Sequence, residues 1–324
     1  MNIASTSLGS RRRLGQVHEE PVYHLGWYPL ALSSELKSDA PLGRDFLGGR
    51  VVLYRDAAGS PVVQSAYCPH LGADLSVGDV VDGQIRCAFH HWCFDTAGKC
   101  VRIPTEGKIP PGARIFTYPS AEAWGLVWAF TGEKPLFELP CVPRAEEGDL
   151  IYRTQSNGVV PYEPWLPVTN GLDFQHLRAL HDIPIVEPDM IQVREHNIEY
   201  TITEPAKQRH GLITGTNTFS LYRNDNGRES FVLFSGTPLR PGETLVFSVV
   251  AVRKKHPTVE EERQMAERQL DAIAALTTRL LEEDDRVLTT IRFRQGVLVA
   301  ADRHLAKFLK YVRDFPRASF IEAC

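Results

Sequence analysis

The chain has 324 residues, of which 43% are hydrophobic and 23% charged, and 36 basic against 40 acidic side chains leave a formal net charge of −4. Single hydrophobic cores stop growing at about 250–300 residues, so this length predicts two domains. The near balance of charge gives no reason to expect nucleic acid, and no run approaches the roughly 18 apolar residues of a membrane span, so a cytoplasmic protein with no membrane partner is the simplest expectation.

Residues 1–21 read as a disordered leader. They hold the one dense basic run, Arg11 to Arg13, in a Ser/Gly-rich stretch with no apolar segment behind it to make an export signal. From 22 to 133 the chain is short and strand-like: RVVLYRD, PVVQSAY, QIRCAFH, ARIFTYP and GLVWAF are each bounded by Gly, Pro or Asp, as in a compact all-β domain. The Pro- and charge-rich EKPLFELPCVPRAEEGD marks the crossing into a second domain, 134–324. There a helical patch at 170–180 precedes EYTITEP, HGLITGTNTFSLYRN, SFVLFSGTP and TLVFSVVAVRK, which fit one antiparallel sheet. A long helix follows, opened by a capping box of Thr258 and Glu261, with apolar residues at Ile273, Leu276, Leu280, Leu281, Val287, Leu288 and Ile291. A sheet grasped by a long C-terminal helix is an α+β arrangement with a cavity between the two.

Six cysteines are too sparse for a disulfide scaffold, yet Cys68, Cys87, Cys93 and Cys100 fall within 33 residues. Two of them belong to mixed pairs, Cys68-Pro-His70 and Cys87-Ala-Phe-His90, with 16 residues between the pairs. Structural zinc accepts the same residue types but usually pairs Cys with Cys and His with His. A Rieske [2Fe-2S] cluster has two thiolates on one iron and two imidazoles on the other, so each of two loops supplies one ligand to each iron. Mixed pairs match that topology, and structural zinc is the competing assignment. The Cys-x-x-His spacing selects His90 over His91, whose alternative role is an exposed imidazole beside the cluster. Ala73 stands where the respiratory-chain type has a disulfide cysteine, which leaves Cys93 and Cys100 as buried thiols; Cys141 and Cys324 read as ordinary reduced thiols.

Residues 170–182, NGLDFQHLRALHD, gather Asn170, Asp173, His176 and His181 in an otherwise apolar patch. Two neutral imidazoles and a carboxylate on one face of an Fe(II) ion leave positions open for dioxygen and substrate. His176 and His181 are five apart and would diverge by about 140° on a regular helix, so the helix must be distorted or ending near His181, where Pro184 favours an end. The carboxylate is sought in LLEEDDRVL. Asp284 has Leu280 and Leu281 one turn before it and Val287 and Leu288 one turn after, which centres it on the apolar face, whereas Asp285 lies nearer the polar edge. A carboxylate buried there must be paired or metal-bound, so Asp284 is the expected third ligand and Asp285 the alternative. Asp173, one turn before His176, is placed to accept a hydrogen bond from that ring; a local helix cap is its other reading.

With both sites placed, the chain resembles the oxygenase (alpha) component of Rieske non-haem iron oxygenases from about Tyr23 to Pro316, and most closely the short vanillate and dicamba demethylase branch. The similarity is carried by GWYPLALSSEL, LGGRVVLYRDAAG, CPH with CAFHHW, FDTAGKCVRIP, N-x2-D-x2-H-x4-H at 170–181 and EEDDRVL at 282–288. The chain departs from the family at Leu71, usually Arg, and at Ala88 to Trp92, where the family has Pro-Tyr-His-Gly-Trp. The resemblance implies an N-terminal Rieske domain, a C-terminal helix-grip catalytic domain and a homotrimer in which one subunit's cluster serves its neighbour's iron. It also implies a separate ferredoxin or NAD(P)H-dependent reductase, and a carboxylate at Asp173 that bridges to a cluster histidine, His70 or His90, of the neighbouring subunit.

The expected activity is therefore hydroxylation or oxidative demethylation of a mainly apolar small organic substrate with dioxygen. Fe(II) would be held by His176, His181 and Asp284, and electrons would come from the cluster at Cys68, His70, Cys87 and His90. cis-Dihydroxylation of an arene is the alternative chemistry. An electron carrier or sensor with a ligand-binding domain but no catalytic iron is the alternative class. Candidate pocket residues are Phe219, Leu221, Phe231 and Leu233, whose other reading is plain core.

Overall fold

The computed structural model describes residues 23–188, 190–256, 258–292 and 296–318. The expected leader at 1–21 and Cys324 lie outside the described residues. The N-terminal part is β throughout: β1 (Trp27–Leu32), β2 (Leu42–Phe46), β3 (Gly49–Arg55), β4 (Pro61–Ser65), β5 (Asp79–Val81), β6 (Gln84–Arg86), β7 (Cys93–Phe94), β8 (Cys100–Arg102), β9 (Thr117–Tyr118), β10 (Ser120–Ala123) and β11 (Leu126–Phe130). They form sheets ordered β1-β11-β10, β2-β3-β4-β9 and β5-β6-β7-β8. The loop after β4 and the turn between β6 and β7 carry the two Cys/His pairs.

The C-terminal part is one antiparallel sheet, ordered β12-β18-β17-β16-β15-β14-β13. Its strands are β12 (Leu150–Val160), β13 (Gln192–Val193), β14 (Asn197–Glu204), β15 (Lys207–Thr214), β16 (Thr218–Asp225), β17 (Arg228–Arg240) and β18 (Glu243–Arg253). Helix α1 (Phe174–Ala179) follows a 3-10 turn at Pro167–Gly171, α2 (Glu260–Leu288) follows the sheet, and α3 (Arg303–Asp314) is the last helix among the described residues.

Register decides which residues share a face, because side chains alternate along each strand. One face carries Tyr222, Phe231, Leu233, Phe247, Val249 and Ala251, packed with Trp27, Trp124, Trp128 and Phe130 of the N-terminal sheets. Asn217 Nδ2 donates to Trp27 O at 3.0 Å and Thr154 Oγ1 to Trp124 O at 2.6 Å across this boundary. The other face packs Val250 and Val252 against Leu270 of α2, and Phe234 and Val246 against Leu288. Both faces are therefore buried, which is why β17 and β18 read as long apolar runs.

Four expectations are corrected by these contacts. HGLITGTNTFSLYRN is two strands, β15 and β16, because Gly215 takes φ 61° in the turn that joins them. The patch 170–180 is divided between the 3-10 turn and the short α1. The Thr258/Glu261 capping box does not form: α2 begins at Glu260 with Val259 as an N-cap that makes no side-chain bond, and Glu260, Glu261 and Glu262 instead put negative charge on its first turn. Phe231 and Leu233 do not line a pocket under α2. Leu221 pairs with Val232 and Ser220 with Leu233, so Phe231 and Leu233 face the N-terminal sheets while Phe219 and Leu221 face the helices. Strand β12, unremarked in the sequence because its middle is polar, completes the sheet edge.

This division of faces makes a prediction. Phe231→Ala empties a fully buried site and is expected to cost about 3–5 kcal/mol in chemical denaturation, whereas Leu221→Ala, at a half-buried position, is expected to cost less than about 1 kcal/mol.

Candidate metal centres

The two Cys/His loops are built alike. Cys68 N–H donates to Ala73 O at 2.9 Å and Gly72 N–H to Cys68 O at 2.8 Å; Cys87 N–H donates to Trp92 O at 2.9 Å and His91 N–H to Cys87 O at 3.0 Å. Gly72 and His91 occupy matching positions, and both take positive φ, 77° and 56°. His91 therefore pays the steric cost that a glycine avoids, and its ring points to solvent as an exposed imidazole.

Cys68 and Cys87 are buried, and the His70 and His90 rings lie 4.5 Å apart at the surface end of the loops. The His70 ring stacks on Trp92 at 4.6 Å with 5° between planes, which fixes its direction. Burial, with the neighbouring Cys87 thiol, pushes the Cys68 thiol up to about 11. A thiol in that setting stays protonated unless a metal supplies positive charge, so two buried thiols beside two outward imidazoles fit a cluster. Cys93 and Cys100 are buried, Cys100 in the same packed group as Cys68 and Cys87; Arg102 donates to Cys93 Sγ at 3.1 and 3.3 Å.

The second group lies between α1 and α2. Asp173 is the N-cap of α1, its Oδ1 accepting from the N–H groups of Gln175 and His176 at 3.1 Å each. The helix stops at Ala179, and Leu180 N–H closes the last turn on His176 O at 2.7 Å. His181 thus stands beyond the regular helix, free of the 140° divergence, and its ring comes 5.1 Å from that of His176. One ligand atom each from His176, His181 and Asp284 lies within 4.8 Å of the others. Asp284 Oδ1 is 3.0 Å from His181 Nε2 and 3.9 Å from His176 Nε2. Burial pushes the Asp284 carboxyl up, against the pull of His176, His181 and a hydrogen bond from Asn170, and burial holds His176 below the usual imidazole range. A neutral imidazole is the form that binds metal. Two imidazoles and one carboxylate gathered this way fit a divalent iron with positions left open.

Three neighbouring contacts differ from expectation. The Asp173 carboxylate does not bond the His176 ring within this chain; the cap occupies its Oδ1, and His176 Nδ1 faces the Asp173 backbone carbonyl at 2.5 Å instead. Asp285 is not a solvated acid at the polar edge, because Tyr162 donates its hydroxyl to Asp285 Oδ1 at 2.5 Å. Val287 is 44% exposed, so the apolar face around Asp284 rests on Leu281 and Leu288. Glu283, which the sequence gave no reason to single out from a run of four acids, sets its Oε2 2.6 Å from His181 Nδ1.

Residues 26–119 match the Rieske [2Fe-2S] domain family. Among curated proteins, the chain is 37% identical over 169 residues to aminopyrrolnitrin oxygenase PrnD of Pseudomonas fluorescens, covering 49% of this chain and 46% of that protein. It is 37% identical over 174 residues to cholesterol 7-desaturase of Bombyx mori, covering 52% of this chain and 38% of that one. The matched stretch thus spans less than half the length of either relative. Among solved structures, NdmB of Pseudomonas putida CBB5 superposes with a TM-score of 0.72 at 19% identity, covering 88% of each chain. Dicamba monooxygenase bound to 3,6-dichlorosalicylic acid superposes with a TM-score of 0.67 at 22% identity over 89% of this chain and 95% of that one. The fold is shared with both.

If Glu283 fixes the tautomer of His181, its loss acts on the metal. Glu283→Ala is expected to lower iron affinity by about ten- to a hundredfold, with Glu283→Gln, which keeps an acceptor oxygen, falling between it and the parent protein. Iron retained against a graded chelator checks this; equal retention in all three would remove the role.

Proposed function

We propose, for a chain that carries a Rieske [2Fe-2S] domain on the fold it shares with dicamba monooxygenase and NdmB, that it is an oxygenase. It would hydroxylate or oxidatively demethylate a small, mainly apolar organic substrate with dioxygen and electrons supplied from outside. The observation that carries this reading is the meeting of His176, His181 and Asp284 within 4.8 Å between α1 and α2. Iron bound there supplies a site at which dioxygen is reduced. His181 is held by Glu283, Asp284 is held by Asn170, and Asp285 is drawn away to Tyr162, so one carboxylate of the acidic run is presented to the metal. Similarity to proteins named as oxygenases favours the same chemistry.

Electrons would enter at His70 and His90, the outward ligands of the cluster, from a ferredoxin or an NAD(P)H-dependent reductase. Within one chain the β1-β11-β10 sheet packs on the face of the large sheet opposite α2. In a homotrimer a neighbouring subunit's cluster would approach α1, with the Asp173 carboxylate, at the N-terminus of the helix that carries His176, as the contact. No helix among the described residues is long and apolar enough to cross a membrane, and a cytoplasmic location belongs to the same reading.

Asp173 has a capping role and a proposed electron-transfer role, and two variants separate them. Asp173→Asn keeps a good N-cap; Asp173→Ala loses it at a cost of about 0.5–2 kcal/mol. Both are expected to reduce their clusters normally and to form little product in a single turnover with pre-reduced protein, dioxygen and a substrate found by oxygen-uptake screening of aromatic, alicyclic and N- or O-methylated compounds. Full product yield from Asp173→Asn would leave the cap as its whole role.

A further inference from the structure

Four acids, Glu282 to Asp285, stand in a row beside a site that uses one of them. A centre of two imidazoles and one carboxylate keeps coordination positions open only while no second carboxylate reaches the ion. Helix α2 is continuous through Leu288, and Asp285 follows Asp284 about 1.5 Å further along the axis and about 100° round it. The backbone therefore gives no means of holding the second carboxylate away from an ion that the first one faces. Side-chain bonds have to do so.

Each acid has a different fate. Glu282 is exposed, Glu283 sets its Oε2 2.6 Å from His181 Nδ1, and Asp284 faces His181 Nε2 at 3.0 Å. Asp285 Oδ1 accepts from the Tyr162 hydroxyl at 2.5 Å. Tyr162 does not belong to the helix. It stands two residues past the end of β12, is buried, and packs with Leu166, Phe234, Val246 and Leu288. Its carbonyl accepts from Thr244 Oγ1 at 2.5 Å, which ties it to β18. The phenol is thus a fixed point on the sheet, and the Asp285 side chain is the part that can turn. Burial, the bond to Asp285 and the charges of Asp285 and then Asp284 hold the Tyr162 hydroxyl above the usual tyrosine range, so it stays a donor within the field of both carboxylates.

We propose that Tyr162 is a positioning residue that holds Asp285 back from the iron and so keeps open the coordination positions left by His176, His181 and Asp284. Without the hydroxyl, Asp285 becomes a half-buried carboxylate that has lost its donor, and a divalent ion at the neighbouring residue becomes its best partner. Capture of that second carboxylate would leave the ion bound and close it to a diatomic ligand. This role rests on the proposed oxygenase reading and adds to it the control of access to the metal.

The test is nitric oxide titration of the full chain, with the cluster oxidised and the mononuclear iron ferrous, followed by EPR. Nitric oxide stands in for dioxygen and gives a half-integer-spin signal on high-spin ferrous iron. The parent protein and Asp285→Asn are expected to bind it alike. Tyr162→Phe is expected to bind it about ten- to a hundredfold more weakly at unchanged iron content. The double variant Tyr162→Phe/Asp285→Asn, which has no second carboxylate to capture, should recover binding. Parent-like binding in Tyr162→Phe, a loss that Asp285→Asn does not reverse, or loss of the cluster chromophore in Tyr162→Phe overturns the role. A parent protein that holds no third iron, or whose iron gives no signal with nitric oxide, would sink the oxygenase reading itself, whereas a normal parent with unchanged binding in Tyr162→Phe sinks this inference alone.

Discussion

His181 sits between two neighbouring carboxylates of α2, its Nδ1 on Glu283 and its Nε2 toward Asp284, and the site depends on that seat. The imidazole is nearly inaccessible, with 1% of its side chain exposed, so an unpaired ring nitrogen there would be costly. Glu283 accepts from Nδ1–H, which leaves the Nε2 lone pair facing Asp284 as the position for a metal, and the ring can sit there only because α1 ends at Ala179 and releases the chain toward α2. A regular helix continued through His181 would turn the ring away from His176 by about 140° and empty the seat. Asp173 starts α1 and Leu180 closes it, so a helix of six residues is fixed at both ends by local bonds, with His176 in its first turn and His181 just past its end.

The sheet imposes the second constraint. Burying both faces of β17 and β18 assigns one to Trp27, Trp124, Trp128 and Phe130 of the N-terminal part and the other to α2, which carries Asp284.

Ligand types and spacing made much of this legible in the sequence. The mixed Cys/His pairs, the five-residue gap between His176 and His181, and the apolar surroundings of Asp284 each follow from the chemistry that the donors impose. What stayed hidden needed a third dimension. Alternation tells that Phe219 and Leu221 lie opposite Phe231 and Leu233, but only the packing of Trp128 and α2 tells which face each pair occupies. Glu283 and Asp285 are neighbours in a uniform acidic run, and contacts with His181 on one side and Tyr162 on the other separate them. Asp173 was ambiguous for a different reason: a carboxylate before a short helix caps it and neighbours its third residue at once.

The central claim is that one chain holds two separate iron sites, a Cys2His2 cluster and a His/His/carboxylate centre. Mössbauer spectroscopy of the reduced protein grown on iron-57 tests it most directly. The account predicts three irons per chain. Two belong to an inequivalent cluster pair. The third is a high-spin ferrous component carrying about one third of the absorption, absent in Asp284→Ala and retained in Asp285→Ala. Two irons per chain, both in the cluster, or a third component that vanishes with Asp285 and not with Asp284, would contradict it.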